Sequence, residues 1–240
     1  MIATGSGKAT IAKAIAHESG ATFFSISSSD LISNRLGKGE KLVKTLFAVA
    51  AYEAPSIVFI DEIDSMLTHR RAEDDAIRRM RGEFLVQLDE AVNRREGRVF
   101  VIGATSRPQD LDEGARRRFA KRLYLPLPNQ SARESLLRTL VAENSHSLTD
   151  DDFKNMSRDT EGYSGADLKI LCRDASFGPL STLSREAIMS ISPDDVPPIS
   201  YEHFCRSLRI TSPSVGQEGL QAYVDWNNAH GTKSDFLGNN

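Results

Sequence analysis

The chain has 240 residues, 40% of them hydrophobic and 26% charged, with a formal net charge of −3. That composition suits an ordinary globular protein with room for one α/β domain and a small helical one. It leaves no basic surplus for a polyanion, which argues against nucleic acid as a partner. No apolar run reaches membrane-spanning length and no signal-peptide pattern opens the chain, so no membrane partner is expected. Cys172 and Cys205 lack metal-ligand spacing and the five histidines are scattered. The two thiols read as reduced, in a cytoplasmic or nuclear setting.

The chain opens on Gly5-Ser6-Gly7-Lys8, a fragment of a phosphate-cradling loop. The full pattern is Gly, four residues, Gly, Lys, then Ser or Thr. Here Ile2 stands at the first glycine position and Ala9 at the hydroxyl position. The amides of Gly5, Ser6 and Gly7 and the Lys8 ammonium still suit a phosphate. Ala9 has no oxygen for a metal, and Thr10 is one residue out of register on the following helix. A Gly-rich surface turn is the competing reading. Met1 stands four residues before Gly5, so the strand that should feed such a loop is absent from the sequence. The expectation is a fragment or a mis-started reading frame rather than a domain that lacks a strand.

Apolar spacing then predicts a helix over Thr10–His17, a short strand over Thr22–Ile26 and an amphipathic helix over Glu40–Tyr52. Pro55 leads into Ser56-Ile57-Val58-Phe59-Ile60-Asp61-Glu62-Ile63-Asp64. This pattern fits a buried parallel strand that delivers its acids at the C-terminal edge. A buried strand meeting a charged helix start would look the same. The phosphate cradle upstream favours a metal and water site, with Asp61 holding Mg²⁺ and Glu62 polarising an attacking water. A helix is predicted over Arg78–Asp89 and a second strand over Val99–Ala104, ended by Thr105-Ser106-Arg107-Pro108. Ser106 either touches a γ-phosphate or its water, or is a turn residue. Arg116-Arg117-Arg118 is either a solvated face or a source of arginine given to a neighbour's phosphate. A third strand is predicted over Leu123–Leu127, closed by Pro126 and Pro128. Alternating strands and helices imply an α/β fold with a parallel sheet covered on both faces.

Beyond Pro128 only helices are predicted: Ala132–Glu143, Asp150–Arg158, Ala166–Ser176 and Tyr201–Arg209, forming a small lid. Ser164-Gly165-Ala166-Asp167 has capping-box spacing, with Asp in place of the usual Glu. A last helix over Val215–Ala229 would start at Ser214, with Gln217 three residues on, and carry Leu220, Tyr223 and Trp226 on one face. The expected division is a nucleotide-binding α/β domain over 1–128, a helical lid over 129–212, a C-terminal helix over 213–231 packing back on the domain, and a polar tail over 232–240.

These motifs, with Ala21–Ser27, Glu83–Asp89, Tyr163–Leu168 and Arg116–Leu125 followed by Pro126-Leu127-Pro128, resemble the AAA ATPases. The resemblance is to the microtubule-severing and vacuolar-sorting group, and within it to the fidgetin-like branch, with spastin and katanin as cousins. It runs from about Ile2 to Gly231. It implies a P-loop NTPase sheet with a helical lid, ATP and Mg²⁺ as ligands, and a homo- or hetero-hexameric ring of AAA subunits. It implies that Arg117 and Arg118 act as fingers in a neighbour's site and that Gly165 and Ala166 lie beside the nucleotide. It also implies a pore loop over Asn34–Gly39 that grips a protein substrate, by resemblance an acidic tubulin tail. In that loop Arg35 takes the family's aromatic position and Leu36 the aliphatic one; Arg35 and Lys38 would suit an acidic tail.

The departures cluster in the working parts: Ile2, Ala9, Arg35, Lys38, and Ser106 where relatives carry Asn. Loss of the hydroxyl and the sensor amide together would cost on the order of 10²–10⁴ in rate. Two expectations follow. One is ATP hydrolysis that remodels a protein, by resemblance microtubule severing. The alternative is a hydrolysis-deficient paralogue serving as a binding or regulatory subunit of the ring.

Overall fold

The computed structural model describes residues 7–33, 38–68, 75–93, 98–181, 183–192 and 195–232. Among them the chain forms two units, 7–125 with 221–232, and 126–220. No helix of the described residues is long and apolar enough to cross a membrane.

In the first unit the strands β1 (Thr22–Ser27), β2 (Ser56–Asp61) and β3 (Val99–Gly103) form a parallel sheet in the order β1-β2-β3. The register runs from Thr22↔Ser56 to Ser27↔Asp61 on one side and from Ser56↔Val99 to Ile60↔Gly103 on the other. Ser56 to Ile60 are at most 4% exposed. A central strand covered on both faces reads as a continuous apolar run for this reason. Its alternate side chains serve two cores. Val58 and Ile60 join Val43, Phe47 and Ala50 of α3 (Gly39–Tyr52) and Met80, Phe84 and Leu88 of α5 (Asp75–Asn93). Phe59 meets Ala12 of α1 (Lys8–Ser19) and Ala104, with Ala9, Phe23 and Ile102 around them. Small residues on α1 bring that helix close over the strand. The Phe47 and Phe84 rings meet edge-on at 5.8 Å between α3 and α5.

Short helices α2 (Ser28–Ser33), α4 (Asp64–Leu67) and α6 (Glu113–Arg118) and a 3₁₀ turn at Pro108–Asp110 fill the loops. At four to six residues the helices are too brief to show a period in the sequence. The strand expected over Leu123–Leu127 is not formed: this stretch is irregular apart from a single bridge at Leu125. Leu123 is 55% exposed, so the apolar pattern there does not mark a buried strand. Pro126 and Pro128 also offer no N–H to a ladder.

The second unit is helical: α7 (Gln130–Val141), α8 (Asp150–Asp159), α9 (Gly165–Ser176), α10 (Gly178–Ser181), α11 (Arg185–Ser190) and α12 (Tyr201–Leu208). Its core gathers Leu137, Val141, Phe153, Met156, Leu168, Leu171 and Phe204 among others. Buried Arg133 donates to the carbonyls of Ser157 and Pro128, which ties the start of α7 to the end of α8. The capping box predicted at Ser164 is present, since Ser164 N donates to Asp167 Oδ2 at 2.8 Å and Asp167 N to Ser164 Oγ at 3.2 Å. The one predicted at Ser214 is not. The last helix, α13, begins at Gln217 and runs to His230. Ser214 instead sends its amide (3.3 Å) and its hydroxyl (3.1 Å) to Asp167 Oδ2. The Asp167 carboxylate is a charged acceptor that takes both Ser214 donors, and the helix begins only beyond Gly216.

Burial alone would raise the Asp167 pKa, but the hydrogen bonds from Ser164 and Ser214 together outweigh it and hold the carboxyl below its ordinary value. A carboxyl depressed on folding stabilises at pH values above its unfolded pKa, and that gain is lost as pH falls through the folded value. Asp167→Ala should therefore cost about 1–2 kcal/mol in urea unfolding at neutral pH. The difference from the parent should close as the pH is taken below the ordinary value of 3.8. In the first unit, Phe84→Ala empties the interface of α3, α5 and the sheet and should cost about 3–5 kcal/mol by the same measurement.

Candidate functional site

Polar groups emerge where β2 runs out of cover. Asp61 is its last residue and accepts the Glu62 amide on Oδ1 at 2.9 Å. Glu62 takes a left-handed backbone, φ 51, which is strained for a residue with a Cβ. Three neighbours hold it there. The hydroxyl of fully buried Ser28 donates to the Glu62 carbonyl at 2.6 Å, Ser65 N donates to the same oxygen, and Ile63 N donates to the Ala104 carbonyl. The chain reverses at this point, so the Glu62 side chain is exposed while Ile63 enters the core. Gly103 makes room for it, because a Cβ there would lie 2.7 Å from Ile63 Cδ1.

A second clamp joins the ends of β2 and β3. Asp64, 9% exposed, accepts the hydroxyl of buried Thr105, whose oxygen in turn accepts the Arg107 amide at 2.9 Å. Between them the Ser106 carbonyl accepts Tyr223 Oη at 2.6 Å. The Ser106 hydroxyl has no hydrogen-bond partner among the described residues.

Opposite these acids α1 begins. Gly7 precedes it in the left-handed region, φ 81, and no side chain caps it. Its first amides therefore lack helical partners and, with the helix dipole, favour an anion. Lys8 is the first helical residue. Burial lowers its pKa, against the attraction of Asp61, Asp64 and Glu62 in that order. The sequence-predicted cation and the strand acids are thus brought together. Ala9 packs its methyl in the small core under α1. Its place in that core gives it an apolar role where the motif has a metal ligand.

These residues fit a magnesium nucleotide. Free amides and a poorly hydrated ammonium suit a polyphosphate, and the Asp61 carboxylate is an oxygen donor of the kind Mg²⁺ takes. Among the described residues no three of His, Cys, Asp and Glu converge into a metal cage. Mg²⁺ commonly uses one or two carboxylates plus substrate phosphates and water, so none is required.

The remaining predicted residues are dispersed. Arg117 and Arg118 both end α6, but with different ties. Arg117 is exposed and, among the described residues, paired with Glu113 one turn back at 2.5 Å. Arg118 Nε reaches both oxygens of Asp89 on α5 at 2.9 Å, and its Nη1 reaches the Gly114 carbonyl. Gly165 and Ala166 open α9 in the second unit, after the Ser164 cap. Ile2, Gly5, Ser6, Arg35 and Leu36 lie outside the described residues. Cys172 is buried with its thiol pushed up to about 12, which leaves it unreactive, and both cysteines are free. Sequence reasoning passed over Ser28, Asp64, Thr105 and Tyr223. Asp64 and Thr105 were visible as polar residues flanking apolar strands, whereas nothing near Ser28 or Tyr223 in sequence signals what they touch.

Residues 3–127 match the ATPase family associated with various cellular activities (AAA), and residues 150–196 match the AAA+ lid domain. Fidgetin-like protein 1 of Rattus norvegicus is 49% identical over 228 residues, 95% of this chain and 34% of that protein. Spastin of Homo sapiens is 46% identical over 228 residues, 95% of this chain and 37% of that protein. The chain thus spans about a third of the length of the curated relatives it matches. The crystal structure of the FIGL-1 AAA domain in complex with ADP is similar with a TM-score of 0.88 and 40% identity, covering 97% of this chain and 77% of that one. A structure titled for katanin self-assembly gives 0.79 and 36%, covering 95% and 77%. With its parallel sheet, its helical second unit and its α1–β2 site, the chain belongs to the AAA family of ATPases.

Proposed function

We propose that this chain binds ATP with Mg²⁺ at the α1–β2 edge and hydrolyses it to remodel a protein substrate, working in a ring with other AAA subunits. The observation that carries this reading is the placing of Lys8 among Asp61, Glu62 and Asp64. When bound, magnesium supplies charge neutralisation at the phosphates. The chain's own residues do the rest. The first amides of α1 and Lys8 hold the phosphates, and Asp61 is the metal's carboxylate. Glu62, exposed on its strained turn, takes the proton of the attacking water. Ser106 turns its unpartnered hydroxyl toward that water or the γ-phosphate.

Arg117 is the finger for a neighbouring site, since an exposed pair to Glu113 costs little to break. Arg118 works as its brace, fixed to Asp89. A ring is supported by the likeness to the katanin self-assembly structure. An acidic tubulin tail as substrate, and hence microtubule severing, rests on kinship with spastin and katanin. The alternative of a hydrolysis-deficient ring subunit finds no support in the site, where the cation and both acids are assembled.

Glu62→Gln should keep ATP affinity in calorimetry while phosphate release drops by about 10²–10³. Absence of nucleotide uptake by the folded parent at millimolar ATP would overturn the whole reading. Ala9→Ser restores an oxygen at the metal position with little added volume. It should raise kcat about tenfold and lower the Mg²⁺ concentration needed for half-maximal turnover. An unchanged Mg²⁺ dependence would show that Ala9 does not limit the reaction.

A further inference from the structure

Thr105 is fixed from the sheet side by Asp64 and by its bond to the Arg107 amide. The next firm point is Leu111, which bridges to Thr68 after the 3₁₀ turn. Ser106 stands between these anchors, and its carbonyl is held from another element altogether, by the Tyr223 hydroxyl of α13. The Tyr223 ring stacks on Tyr124, centroids 6.4 Å apart at 25°. Nine residues on, the Thr232 amide donates to the Arg122 carbonyl at 2.9 Å, and Arg122 N donates to Thr232 Oγ1 at 2.8 Å. The end of α13 is thus stitched to the chain that leaves the arginine helix, and one hydroxyl reaches across to the turn after β3. Burial raises the Tyr223 pKa, so the phenol remains a donor throughout the physiological range.

A serine hydroxyl swings on one side-chain torsion, so it has little reach to absorb a shift of its own backbone. Displacements of about 1 Å in a positioning group cost on the order of 10² in rate. We propose that Tyr223 is a positioning residue: by holding the Ser106 carbonyl, the C-terminal helix aims the Ser106 hydroxyl at the reacting phosphate. This rests on the reading of Ser106 as part of a hydrolytic site. It adds a dependence of that site on a helix more than a hundred residues away in sequence.

The test is Tyr223→Phe in the 240-residue chain, which removes the oxygen and keeps the stacked ring. Phosphate release should show kcat down about tenfold with KM and calorimetric ATP affinity unchanged. In a Ser106→Ala background the same substitution should have no further effect on kcat, because the group it aims is gone. In nucleotide-free protein, hydrogen exchange over residues 104–108 should quicken about fivefold while the urea midpoint moves little. An equal loss of kcat in both backgrounds, or unchanged exchange at 104–108, overturns the proposal. If the parent turns over ATP no faster than Glu62→Gln, the hydrolytic reading fails on its own. The exchange measurement then still decides whether Tyr223 holds the Ser106 turn.

Discussion

A strand buried on both faces has no place for a charge along its length, and β2 obeys that constraint from Ser56 to Ile60. Its apolar side chains call for α1 on one side and for α3 and α5 on the other. The first carboxylate can appear only where cover ends, at Asp61. Because parallel neighbours keep the same direction, β1 and β3 finish beside it. Ser28, Thr105 and Ser106 are then delivered to one edge without further design. The helix that must cover Phe59 is α1, so the requirement that buries the strand also sets Lys8 over its acids.

At that edge stability and reactivity pull in different directions. Glu62 occupies a backbone region that residues with a Cβ avoid, and the Ser28 hydroxyl and two amide bonds keep it there. The result is an acid turned outward one residue after an acid that ends a strand. Lys8 loses hydration and is only partly repaid by Asp61, Asp64 and Glu62. An ammonium left in that condition has more to gain from a polyphosphate than a fully hydrated one. The arginines of α6 divide in the same manner, Arg118 fixed to Asp89 and Arg117 exposed.

The helical second unit solves an unrelated problem with local chemistry. Asn129, Thr149 and Ser164 cap successive helices, and the last two do so through reciprocal boxes with Asp152 and Asp167. Asp167 then takes on Ser214 as well, so one carboxylate both begins α9 and holds the segment leading toward α13. The cap foreseen at Ser214 was a correct spacing put to another use. Spacing marks a residue able to cap, but it does not say which acceptor or donor will reach that residue first.

The sequence by itself determined the parallel α/β sheet, the helical second unit and the approach of Lys8 to the acids that end a strand. Each is written in a short-range signal: a period, a cap, or apolar residues running into acids. Tertiary structure alone decided that Leu123–Leu127 forms no more than a bridge at Leu125 among the described residues, since the pairing of an extended stretch is set by chain distant in sequence. It also decided that Arg118 is bound while Arg117 is exposed, because Asp89 belongs to a helix distant in sequence. The strain at Glu62 and the grip of Tyr223 on Ser106 are of the same kind. Both depend on contacts across 34 and 117 residues, which no local pattern encodes.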